Sequence, residues 1–199
     1  VPTFDKDAGS KTTYQYLKMF VKMGYSVKFL GDNFLHEEPY STTLQQMGVE
    51  ILYGPGYQAG IWDWLTKNKD EIDFAYLNRP HIAIKYIDFI KKNTNIKVIY
   101  YGHDLHFLRE YREYELTGDI QKKRESIEFS LMEKAAVSYY PSYVEEEAIH
   151  AIHPEYKIRA ITAYVYEKFL ENIDKDFEKR EGLLFVGGFA HPPNADAVL

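Results

Sequence analysis

The chain contains no cysteine, which excludes a disulfide framework and any thiolate metal site. Tryptophan is held to 2 residues and methionine to 4 of 199, so the apolar interior must come from aliphatic residues and the other aromatics. An excess of positive charge is also missing: 24 Lys and Arg stand against 30 Asp and Glu, for a net charge of −6. Recognition of a phosphate backbone rests on clustered cations, so nucleic acid is not expected as a partner. The short basic runs Lys91-Lys92 and Lys122-Lys123-Arg124 have acids close by and read as solvated helix faces. No apolar run approaches the roughly 20 residues of a membrane span, and no secretory leader is visible. The expectation is a cytoplasmic protein.

What is present is globular in kind: 45% hydrophobic and 27% charged residues, neither disordered nor fibrous. The 18 tyrosines combine apolar area with a polar tip, which suits cleft edges as well as a core. Short β-branched or aromatic runs alternate with amphipathic segments almost from end to end. Strands are expected near 26–30, 49–53, 73–77, 96–101, 136–140 and 157–162. Helices are expected over 12–23, 39–47, 61–67, from Pro80, over 119–134, and from Ser142, where Ser142 and Glu145 form a capping box. This alternation predicts an α/β fold, a Rossmann-like parallel sheet with helices on both faces.

Both ends of the chain have the character of interrupted units. Residues 1–10 read as a loop between a strand and a helix, although a Rossmann-like sheet places its first strand centrally. The expected organisation is therefore a first domain over 1–170 whose first strand is missing, a charged connector over 171–182, and the truncated start of a second domain over 183–199. Leu183 to Val186 is expected as a strand, and as a filler of the vacant central slot in the same or a neighbouring molecule.

Candidate chemistry sits where an open α/β sheet binds ligands, at the carboxyl ends of its strands. Gly102-His103-Asp104-Leu105-His106 follows the strongest strand; His103, Asp104 and His106 can hydrogen-bond sugar hydroxyls or a phosphate, exchange a proton with a hydroxyl, or be polar loop residues without chemistry. A metal there would lack a third ligand, so none is expected. Asn78-Arg79-Pro80-His81 follows another strand, and Arg79 and His81 are the acceptor-binding candidates; Arg79 can bind a carboxylate or phosphate, or cap the next helix and pair with an acid. Ala8-Gly9-Ser10 precedes the first helix, where backbone N–H groups can face an anion or simply form a turn. It lacks the spacing of a dinucleotide fingerprint, so no NAD or other cofactor is expected. Gly187-Gly188 leads into a helix start and is a second phosphate-binding candidate. No nucleophile elbow occurs.

These segments together give the chain a resemblance to the bacterial family 4 ("group 1") glycosyltransferases of surface polysaccharide assembly. It rests on the runs at 1–10, 29–33 (Phe-Leu-Gly-Asp-Asn), 48–54, 78–81, 104–110 and 185–194. The resemblance implies the N-terminal, acceptor-side half of a two-domain, metal-independent GT-B enzyme. Such an enzyme transfers a hexose-like sugar from a nucleotide-sugar donor to a saccharide or lipid-linked acceptor, with peripheral membrane association of the full-length protein. It implies that the loop at Gly9 approaches the donor diphosphate and that His103, or else His106, contacts the transferred sugar. Many family members carry an arginine where this chain has Gly188, so neutralisation of the leaving group must be arranged differently. A sugar-nucleotide-modifying enzyme of the same plan, such as an epimerase, and a non-catalytic binding module are the alternatives. Either way, the chain by itself is expected to transfer no sugar.

Overall fold

The computed structural model describes residues 1–105, 122–166, 168–171, 176–189 and 192–198, with backbone alone at 122–126 and 192–193. It divides into two units, Val1–Val165 and Tyr166–Leu199. The first runs α1 (Ala8–Lys22), β1 (Lys28–Leu30), α2 (Tyr40–Gln46), β2 (Glu50–Leu52), α3 (Pro55–Asn68), β3 (Phe74–Asn78), α4 (Pro80–Asn93) and β4 (Lys97–Tyr101). After the undescribed segment it continues with α5 (Lys122–Lys134), β5 (Val137–Tyr140), α6 (Tyr143–Ile152) and β6 (Ile158–Ala160). Every strand pairing is parallel, in the orders β1-β2 and β3-β4-β5-β6. This is the α/β architecture with a Rossmann-like parallel sheet that the alternating pattern predicts.

Side-chain alternation along β4 shows that helices cover both faces. Val98 and Tyr100 are buried in the main core with Ala83, Ile87 and Ile90 of α4, Leu131 of α5 and Ile149 of α6. Tyr101, pointing the other way, meets the ring of Tyr16 on α1 at 5.7 Å. On β2, Ile51 packs with Leu17 of α1 and Leu44 of α2, whereas Leu52 packs with Ile61 of α3. Trp62 of α3 then lies 4.6 Å from Phe89 of α4. So α1 and α2 cover one face, and α3 to α6 the other.

Three expectations need correction. The six strands do not form one sheet: among the described residues β1 and β3 each pair only on their outer edge, and no residue of either is buried, unlike those of β2 and β4. The two groups are held together instead by α1, whose Leu17 packs on the β2 side while Tyr16 stacks on Tyr76 of β3. Leu183 to Val186 is not a strand; Leu183, Leu184 and Val186 are 105%, 90% and 85% exposed. An apolar run without a partner edge has nothing to pair its backbone with. In that second unit the regular pieces described are a 3₁₀ turn at Phe177–Lys179 and α7 (Pro192–Asp196).

The third correction concerns α1, which begins at Ala8 rather than Thr12. Asp7 supplies the cap, its carboxylate accepting from the Ser10 N–H at 2.8 Å, so Ala8-Gly9-Ser10 is the first helical turn and not a loop before it. A similar extension occurs at α3. Gly54, at φ 91°, is the residue before a Pro55 in the first turn, a conformation that glycine adopts without steric cost.

Candidate functional site

Because β3 and β4 are parallel and in register from Phe74↔Lys97 to Asn78↔Tyr101, the segments that follow them emerge on the same rim. Arg79 leaves β3 with φ 63° and His103 leaves the end of β4 with φ 62°. Non-glycine residues rarely occupy this left-handed region, and those that do cluster at functional sites. At His103 the chain closes a three-residue turn, the Asp104 N–H donating to the Gly102 carbonyl at 2.8 Å. His103 Nε2 is 3.1 Å from Asn78 Oδ1, and Tyr101 meets the imidazole edge-on at 4.6 Å. With Asn78 Oδ1 as acceptor, Nε2 carries the hydrogen and Nδ1 is the lone-pair nitrogen of the neutral ring.

The turn is fixed from below by Gly102, whose N–H donates to the Tyr139 carbonyl at 3.0 Å. A Cβ at Gly102 would lie 2.2 Å from the ring of the fully buried Tyr140; a side chain has no room. Leu105, 3% exposed, anchors the far end in the main core.

Arg79 reaches across to the start of α1. Its Nη2 is 2.9 Å from where a Cβ on Gly9 would stand and 3.9 Å from Asp7 Oδ1. The guanidinium therefore lies against the first turn of α1, at the positive end of the helix dipole. Burial works against ionisation of Asp7, but hydrogen bonds from Ser10 and Thr3 and the charge of Arg79 hold its carboxyl below the usual range. The Ser10 N–H, a candidate anion donor, is thus already taken by Asp7. Of the three residues Ala8, Gly9 and Ser10, it is Gly9, with Arg79 over it, that offers an anion both backbone and guanidinium.

His81, in the first turn of α4, is exposed. It lies within electrostatic reach of Asp32, which follows β1 and accepts from Lys85 Nζ at 2.6 Å and Tyr86 Oη at 2.9 Å. Asp104 lies within electrostatic reach of Glu145 and Tyr100. His106 falls outside the described residues. Gly187 and Gly188 belong to the second unit, where Asn194 Nδ2 donates to the Gly188 carbonyl at 3.0 Å. No group of three or more metal-ligating side chains occurs among the described residues, and no described helix is long and apolar enough to cross a membrane.

The structure thus brings Gly9, Arg79 and His103 to one rim, with Asp7 and Asn78 as supports that residue types alone did not single out. It also adds Glu145, which the sequence marks only as a capping residue. Comparison with protein-family models, with curated proteins and with solved structures gives no match.

Proposed function

We propose that this chain is the acceptor-side half of a GT-B glycosyltransferase that passes a sugar from a nucleotide-sugar to a saccharide or lipid-linked acceptor. The observation that carries the reading is the placement of Arg79 over Gly9 at the start of α1, on the same rim as His103. In glycosyl transfer the bond between the anomeric carbon and the diphosphate breaks, leaving a cationic sugar centre and a charged leaving group. Preorganised donors and cations at the leaving oxygens lower that barrier. Arg79, planar and permanently charged, and the start of α1 serve the diphosphate here.

His103 is the residue assigned to the sugar and the acceptor hydroxyl. Its hydrogen bond to Asn78 fixes the ring, and the left-handed turn holds it at the rim. A fixed imidazole can hydrogen-bond a sugar hydroxyl or take up a proton from an attacking one. Arg79 also provides an answer to the absence of an arginine at Gly188, since it brings guanidinium charge to the diphosphate from the acceptor side.

The test is a transfer assay on a polypeptide carrying this chain with a donor-binding half, run across a panel of nucleotide-sugars. The expected result is acceptor-dependent release of nucleoside diphosphate, reduced at least about tenfold in His103→Ala with the melting temperature unchanged. Failure to bind or consume any nucleotide-sugar would overturn the reading, and so would an unimpaired His103→Ala.

A further inference from the structure

The carboxylate of Glu145 joins two elements that the chain itself keeps 40 residues apart. One oxygen, Oε1, accepts the Leu105 N–H at 2.9 Å. The other, Oε2, accepts the Ser142 N–H at 3.2 Å and the Ser142 hydroxyl at 3.0 Å, while Ser142 Oγ caps α6 by accepting the Glu145 N–H. A capping box requires only the second set of contacts. The bond to Leu105 is additional, and it falls at the far end of the turn that carries His103.

We propose that Glu145 is a positioning residue that latches the 102–105 turn and thereby sets the orientation of His103 at the rim. The turn has two fixed ends. At the near end Gly102 is pressed against Tyr140 and hydrogen-bonded to Tyr139. At the far end the Leu105 side chain is buried and its N–H is taken by Glu145. Between them lie His103, in a left-handed conformation, and Asp104. A strained conformation persists only when its surroundings hold it at both ends, and a buried N–H left without an acceptor is costly. Without the Glu145 carboxylate, Leu105 therefore withdraws to another acceptor and His103 leaves its bond to Asn78. Burial pushes the Glu145 carboxyl above its ordinary range, against the hydrogen bonds from Ser142 and Leu105 and with the Asp104 charge adding to it; the carboxylate is held there by geometry at an electrostatic cost.

The proposal rests on the reading of this rim as the reacting site, but its test needs no substrate. Amide hydrogen exchange and the His103 imidazole titration are followed by NMR in the 199-residue chain, in Glu145→Ala, Glu145→Gln and Ser142→Ala. Losing a hydrogen bond to a charged acceptor should lower Leu105 protection by about tenfold or more in Glu145→Ala. Glu145→Gln has one accepting oxygen in place of two; with that oxygen on the Ser142 N–H the capping box is kept, the amide NH2 faces the Leu105 N–H, and Leu105 protection should fall about as far as in Glu145→Ala. The His103 titration midpoint should shift in both, while exchange in β4 and β5 stays unchanged. Ser142→Ala should loosen the first turn of α6 and leave Leu105 and His103 as they were. If the Glu145 variants alter only the α6 cap, with Leu105 protection and the His103 midpoint unmoved, Glu145 is a cap and nothing more. A normal latch in a protein that binds no nucleotide-sugar would instead overturn the functional reading alone.

Discussion

Gly102→Ala tests how tightly the rim turn is tied to the core, because the added methyl has a single, known obstacle. Its Cβ would stand 2.2 Å from Tyr140 Cε1, 2.4 Å from Cζ and 2.8 Å from the hydroxyl oxygen. Tyr140 is fully buried among Tyr100, Ile149 and Ile158, so its ring cannot swing away. Gly102 itself is not in the left-handed region, so backbone strain contributes nothing and the effect is steric. Overpacking of this kind costs roughly 1–3 kcal/mol, and so deep an overlap belongs in the upper half of that range. Reduced freedom of the unfolded chain returns about 0.4–1 kcal/mol. The expected net loss is about 1–2.5 kcal/mol, measured by urea unfolding at neutral pH with an unchanged slope. Tyr140→Leu should make room for the methyl, so the double variant should be less destabilised than the sum of the two singles. A Gly102→Ala protein as stable as the parent, or strict additivity with Tyr140→Leu, would refute the packing argument.

Gly9→Ala places its Cβ 2.9 Å from the mobile tip of Arg79, so stability should hold while the affinity for pyrophosphate, measured by calorimetry, falls with the displaced guanidinium. Arg79→Lys keeps the charge but loses the planar fork, and should bind pyrophosphate more weakly than the parent and more tightly than Arg79→Ala. Asp32 provides a pH test: burial opposes its ionisation, but hydrogen bonds from Lys85 and Tyr86 and the charge of Lys85 win and hold its carboxyl below the ordinary range. The unfolded chain therefore takes up the proton first on acidification, so the stability Asp32 contributes is present above about pH 4 and is lost as pH falls through the depressed folded value. Asp32→Asn should accordingly be less stable than the parent at pH 7, with the gap narrowing as pH falls below about 4 in urea titrations. A gap that is constant with pH would mean that the Lys85 and Tyr86 contacts are not made in solution.

The fold was legible where one local rule decided the outcome. Each of the six strands occurs within a residue or two of its β-branched run, because period and turn residues agree there. The Ser142–Glu145 box was readable for the same reason, since both partners lie within four residues. The expectations that failed depended on pairing at long range. Ile-Lys-Val-Ile-Tyr-Tyr at 96–101 and Leu-Leu-Phe-Val at 183–186 look alike as sequence, yet the first has edges to pair with on both sides and the second is exposed. Nothing in four apolar residues specifies whether a neighbour exists.

At the site, the rim positions were legible and the supports were not. Arg79 and His103 were identifiable because they follow strands in a parallel sheet, where topology alone brings successive carboxyl ends together. Their left-handed conformations were not: arginine gives no signal for positive φ, and histidine, although enriched there, only a weak one. That the guanidinium of Arg79 selects Gly9, and not His81 or Asp32, depends on where the first turn of α1 falls, which in turn depends on Asp7 rather than Thr12 opening the helix. One capping carboxylate thus moves the helix start by four residues and brings its backbone under an arginine 70 positions away. The same logic applies at Glu145, where a local cap also holds a distant loop. At both places a residue that satisfies a nearby backbone retains capacity for a second partner, and that second contact builds the site.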